Sequence, residues 1–146
     1  MIRKMRASDI DRVADLWLET NINAHCFIPV QYWKSNFEFV KEMMLQAEVY
    51  VYENGHEIQG FIGLSDEYIE GIFVSDEMQS QGIGKLLLNY MKSRKTELAL
   101  NVYQKNTRAI SFYQREGFEI QDEGLDKATG EKEYRMRWEN MDNSSL

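Results

Sequence analysis

Between Val74 and Leu88 the chain reads VSDEMQSQGIGKLLL, which sets Gly82 and Gly84 one residue apart where an apolar run gives way to a helical pattern. Glycine destabilises a helix start unless the backbone needs a positive φ or something must approach it closely. One explanation is a tight strand-to-helix turn with no ligand. A nucleotide fingerprint fails in both common forms: a Rossmann loop needs a third glycine where Leu87 stands, and a P-loop needs Ser or Thr where Leu86 follows Lys85. The remaining explanation is an anion site. Free N–H groups from about Gln81 to Lys85, with the positive end of the helix dipole, would hold a diphosphate, and Lys85 would add a cation.

The other reactive side chains are sparse. His25, His56 and Cys26 are too few and too scattered for a zinc site. Cys26 has no base that can be paired with it and reads as a small buried apolar residue. His56 falls in a hairpin turn and reads as exposed. His25 titrates near neutrality, so relaying a proton or orienting an amine is as compatible with the sequence as a loop hydrogen bond.

These groups must be positioned by a regular scaffold. Met1 to Met5 reads as a strand, and Ser8 with Asp11 as a capping-box variant opening a helix whose apolar face is Ile10, Val13, Ala14, Trp17 and Leu18. A second helix is expected over Val30 to Gln46. Three strands follow at Val49 to Tyr52, Ile58 to Leu64 and Tyr68 to Val74, the first two joined by an Asn54-Gly55 hairpin signal. Ile83, Leu86, Leu87, Tyr90 and Met91 mark the next helix. Leu98 to Tyr103 is a strand, Asn106 to Glu116 a short helix ending at Gly117, and Phe118 to Glu123 and Glu133 to Trp138 the last strands. The order β-α-α-β-β-β-α-β-α-β-β implies an α+β fold: a mixed, mainly antiparallel sheet of about seven strands flanked by about four helices. Residues 1–138 form one domain in this reading, and 139–146 a frayed tail.

Composition sets the partners. With 146 residues, 43% hydrophobic, the chain suffices for one core. A net charge of −7 disfavours nucleic acid, and no apolar run approaches a membrane span. One cysteine fits a reducing, cytoplasmic setting, with the protein a monomer or homodimer.

Gln79-x-x-Gly82-x-Gly84 after a strand, then a strand, Asn106, and Ala109-x-x-Phe112-Tyr113-x-x-x-Gly117-Phe118 resembles the GNAT superfamily of acyl-CoA-dependent N-acetyltransferases. The resemblance spans almost the whole chain in element order, its specific motifs lying between Gly71 and Phe118. It implies the acyl-CoA N-acyltransferase fold, acetyl-CoA as co-substrate, no metal, and acetyl transfer to a primary amine: a protein lysine, an N-terminus or a small amine. Its alternative is a non-catalytic acyl-CoA sensor or partner module.

Carried over by position, the resemblance assigns Ile72, Phe73 and Val74 to the pantetheine arm, pairing with it as an added strand and donating an N–H to the thioester carbonyl. Gln79, Ser80, Gln81, Gly82, Ile83, Gly84 and Lys85 take the diphosphate, and Asn106 is a cofactor contact that also suits a helix N-cap. Tyr113 matches the tyrosine that protonates departing coenzyme A; a phenol of pKa ~10 is neutral at pH 7 and can donate to a thiolate. It also contacts the cofactor. Because Phe112 and Tyr113 are adjacent, they are expected in different environments. The acceptor side falls to His25, Phe27, Tyr32 and Tyr68, from the connection between the first two helices and the third strand of the meander. An amine must lose a proton before attack. Glu70, sharing strand parity with Tyr68 and Ile72, is the candidate base, with His25 or a water relay as alternatives.

Overall fold

The computed structural model describes residues 1–140. Seven strands form one sheet: β1 (Ile2–Lys4), β2 (Glu48–Asn54), β3 (Glu57–Ser65), β4 (Tyr68–Val74), β5 (Glu97–Tyr103), β6 (Glu119–Asp126) and β7 (Glu131–Glu139). Their spatial order is β1-β2-β3-β4-β5-β7-β6, and β4–β5 is the parallel pair among antiparallel neighbours. Five helices cover it: α1 (Ile10–Ala24), α2 (Val30–Ser35), α3 (Phe37–Gln46), α4 (Ile83–Lys92) and α5 (Thr107–Arg115). This is the expected α+β architecture with one helix more.

The additional helix comes from a break at Asn36. Its side-chain Nδ2 donates to the Tyr32 carbonyl at 2.7 Å, so a short amide competes with the helical ladder and divides the expected 30–46 helix in two. At the start of α1 the Ser8–Asp11 box is not formed. Asp9 instead accepts the Arg6 N–H at 2.8 Å, held by Arg3 of β1 at 2.8 and 3.1 Å, and residues 7–9 wind as a 3-10 turn. Glu139 closes β7 and the Asn140 N–H donates to the Thr96 carbonyl, so of the expected tail only residues 141–146 lie outside the described residues.

Strand β3 explains the layering. All seven of its inner positions are buried, with Phe61 facing α1–α3 and Ile62 and Leu64 facing α4 and α5. One core gathers Val13, Leu16, Trp17, Trp33 and Val51; the other gathers Leu87, Leu88, Met91, Leu98, Leu100 and Met136. The helical stripes read from the sequence point into these two layers, except that Leu86 of α4 is exposed and Leu88 is buried in its stead.

Strand β4 carries the feature that opens the site. Opposite β3, Gly63 pairs with Gly71 but Leu64 pairs with Ile69, which leaves Glu70 as an extra residue in a β-bulge. On the other side, β4 meets β5 at Tyr68↔Ala99 and Ile69↔Leu100 and no further. Beyond the bulge the two strands part. The Ser75 N–H bond to the Gln59 carbonyl, 2.9 Å, fixes the ladder phase: Phe73 presents its backbone groups to β3, whereas those of Ile72 and Val74 face the parting.

Candidate active site

A cleft of about 820 Å³ lies over this parting, walled by the end of α1, the far half of β4, the α4 entrance and α5. Eleven of the twelve residues expected at the cofactor line it: Ile72, Phe73, Val74, Gln79, Ser80, Gly82, Ile83, Gly84, Lys85, Asn106 and Tyr113. Gln81 does not; it is exposed outside the wall. Phe73 contributes no free backbone edge, since that edge belongs to β3, and its ring stacks on Phe61 at 4.8 Å.

Gly82 caps α4 with φ +86°, and Ser80 before it has φ +65°. A Cβ on Gly82 would meet nothing within 4 Å, so the protein leaves this space open, and the positive φ is the reason for glycine. The first α4 bond runs from the Leu86 N–H to the Gly82 carbonyl at 3.0 Å, and the preceding N–H groups from Gln81 to Lys85 take no backbone carbonyl. They sit at the positive end of a ten-residue helix, as a diphosphate requires. Open donors at α4, the free edge groups of Ile72 with the Val74 N–H, and a cleft joining them fit acetyl-CoA; the Val74 carbonyl already accepts from Gln79 Nε2 at 3.3 Å.

Asn106 is the N-cap of α5, its Oδ1 accepting the Ala109 N–H at 3.2 Å. Its Nδ2 therefore faces His25 Nε2, 3.1 Å away, while His25 Nδ1 lies 3.1 Å from Asn21 Oδ1 and Asn21 Nδ2 donates to the Trp17 carbonyl at 2.9 Å. The two amides fix the ring from both sides: Nδ1–H donates and Nε2 accepts. Burial holds the imidazole pKa down at about 4, so His25 is neutral and has no free nitrogen for a relay. It ties α1 to α5 across the parting.

Tyr113 is buried, with Phe112 and Phe118 edge-on at 5.3 and 5.5 Å. Burial, and then Tyr68, push its phenol above the ordinary range, so it stays protonated. Its hydroxyl takes no hydrogen-bond partner among the described residues and the side chain lines the cleft. Phe112 lines the cleft as well, against the expectation that adjacent residues part, because its ring packs over Gly84, 3.5 Å from where a Cβ would stand.

The bulge overturns the parity assigned to Glu70. With one residue inserted, Tyr68 and Ile72 fall on opposite faces of β4, and Glu70 is exposed, accepting from Ser65 Oγ at 3.1 Å, outside the cleft. Tyr68, Phe27 and Tyr32 also lie outside the cleft, on the α1–α3 side. There His25, Phe27 and Tyr103 rings meet at 5.0 to 5.6 Å. Burial first, and Glu70 next, push Tyr68 up to about 12. Cys26 is exposed rather than buried, because it sits in the turn that leaves α1.

Residues that sequence reading missed are Asn21, Arg108 and Arg115. Arg108 and Arg115 are seven apart on α5 with Phe112 between them, a helical stripe that was present in the sequence. Among the described residues, no group of three or more His, Cys, Asp or Glu side chains is arranged for a metal ion, and no helix is long and apolar enough to cross a membrane.

A family profile described as an acetyltransferase (GNAT) domain matches residues 46–120. The chain is 34% identical over 140 residues to the peptidyl-lysine N-acetyltransferase YiaC of Escherichia coli K12, covering 94% of this chain and 96% of that protein. It is 28% identical over 120 residues to the peptidyl-lysine N-acetyltransferase YjaB of Salmonella typhimurium LT2, covering 82% and 83%. The solution structure of apo YjaB from Escherichia coli superposes with TM-score 0.85 at 22% identity, over 94% of this chain and 96% of that one. The structure of yncA from Salmonella typhimurium with its cofactor acetyl-CoA gives a TM-score of 0.67 at 14% identity over 96% of this chain and 93% of that one. The chain belongs to the GNAT family of acetyltransferases. Its reaction is transfer of an acetyl group from acetyl-CoA to an amine.

Proposed function

We propose that the acceptor is the side-chain amine of a lysine presented by a protein, which attacks directly in a ternary complex. The observation that carries this reading is an uncompensated carboxylate beside the parting. Glu133 of β7 stands opposite Tyr103 of β5, so their side chains share a face. Asp126 at the end of β6 accepts the Tyr103 hydroxyl at 2.7 Å. Burial, and then Asp126, push the Glu133 carboxyl above the usual range, and among the described residues its side chain has no hydrogen-bond or ion-pair partner. The two carboxylates lie near Tyr32 and Tyr68, raising both phenols after burial has done so. Acids without a counter-cation beside tyrosine faces suit an ammonium group. Relatives named peptidyl-lysine N-acetyltransferases support a lysine in that role.

Acetyl-CoA supplies an activated thioester when bound. The Ile72 and Val74 edge orients it, and Glu133 receives the proton that the ammonium must lose. Tyr113 donates its hydroxyl proton to the departing sulfur. The exposed, unpaired Cys26 suits a reducing cytoplasm.

A thiol-release assay over lysine peptides, N-terminal peptides and free polyamines tests the reading. Lysine peptides should turn over best, and Glu133→Gln should raise their KM and lower kcat about 10-fold or more. Preference for an N-terminus or a polyamine would overturn the lysine assignment, and no thiol release with any amine would return the chain to a sensor.

A further inference from the structure

We propose that Arg108 binds the 3′-phosphate of coenzyme A and gives the enzyme its discrimination against cofactors that lack it; this rests on the cofactor placement described above. Coenzyme A carries two separate anionic groups. The diphosphate is met by the N–H groups at the α4 entrance and by Lys85 in the first turn. The 3′-phosphate, nearly a dianion at pH 7, is one ribose beyond it and so falls at the outer lip of that loop, away from the pantetheine channel.

Arg108 is the cation at that lip. Its two terminal nitrogens donate to Gln79 Oε1 and Ser80 Oγ, each at 3.0 Å, so the guanidinium spans the loop that leads into Gly82. Both partners are neutral acceptors, and Arg108 makes no ion pair with a carboxylate of any described residue. Its anchor is itself fixed: the Gln79 amide donates to the Val74 carbonyl at 3.3 Å and to Asp76 Oδ1 at 3.1 Å, which turns Oε1 toward the arginine. Arg108 is exposed on the first turn of α5 and lines the cleft. A planar fork holding two neutral oxygens can exchange them for two phosphate oxygens with gain of charge pairing. Arg115, two turns along α5, makes none of these bonds to the loop. In a chain of net charge −7, an unpaired guanidinium over an anion-binding loop has this one evident use.

The test is titration calorimetry of wild type and Arg108→Gln with acetyl-CoA and with acetyl-3′-dephospho-CoA, at low ionic strength. Wild type should prefer acetyl-CoA by roughly 10- to 100-fold, and the variant should lose most of that preference while binding the dephospho analogue within about 2-fold of wild type. A wild type that does not discriminate, or a variant equally weakened toward both nucleotides, would overturn the assignment. Failure of wild type to bind either one would instead refute the cofactor placement itself. A thermal melt of the variant checks the fold, which an exposed side chain should leave unchanged.

Discussion

Replacing His25 by glutamine tests whether its imidazole is a neutral strut. The pKa of 6.5 in the unfolded chain falls to about 4 in the folded one. Between those values the unfolded state binds a proton that the folded state refuses, so stability that is whole above pH 6.5 is lost as pH falls toward 4. The full loss is about 3 kcal/mol, and about 2 kcal/mol of it arrives between pH 7.5 and 5. The hydrogen bonds give the same sign. A protonated Nε2 would press a donor against Asn106 Nδ2, whose own Oδ1 is committed to the Ala109 N–H. Urea unfolding followed by circular dichroism at pH 7.5, 6.5, 5.5 and 5.0 measures it, taking wild type minus His25→Gln so that carboxylates common to both cancel. Glutamine does not titrate, so the difference in unfolding free energy should fall by about 2 kcal/mol across the series. A difference that stays flat would refute the neutral strut and restore His25 as a titrating relay.

Tyr113→Phe removes one hydroxyl from a well-packed ring; kcat should fall about 10²- to 10³-fold while the acetyl-CoA Kd, read by calorimetry, moves little. Unchanged turnover would remove Tyr113 as the acid. Gly82→Val puts a β-branched side chain at φ +86° in otherwise open space. It should cost about 1–3 kcal/mol of stability through backbone strain and weaken acetyl-CoA more than that strain accounts for, since the side chain stands in the diphosphate loop; full affinity in a folded variant would contradict the loop assignment.

The elements were legible wherever one local pattern decides the outcome. Strand β4 runs from Tyr68 to Val74 as read, Asn106 caps α5 because its side chain reaches an N–H three residues on, and Ile83, Leu87, Tyr90 and Met91 of the α4 stripe pack where their spacing aims them while Leu86 stays exposed. The failures have a common cause. Glu70 was placed by counting alternate residues, and counting cannot detect a bulge that forms only when β4 aligns with β3. For His25 a relay and a loop hydrogen bond stay equally open in the sequence, because the partners that decide between them are a helical turn away in Asn21 and 81 residues away in Asn106. Glu133 and Arg108 belong to no motif that the sequence displays. What distinguishes them is the absence of a carboxylate or cation across the fold, and a sequence does not display absent neighbours.

The bulge and the parting are one event. An inserted residue increases the local twist of its strand, which turns the far half of β4 away from β5 and ends their pairing at Ile69 and Leu100. Residue identity around the bulge supports that turn. The Phe73 ring folds back over Gly71 so closely that a Cβ there would lie 2.4 Å from two ring carbons, and Gly63 stands opposite. Larger residues at Gly71 would drive the ring off Phe61 and out of the α1 core. The opened backbone of Ile72 and Val74 is therefore a product of packing in the opposite layer. In the proposed placement acetyl-CoA would meet an edge that exists before it arrives, and no sheet would have to be broken to admit it.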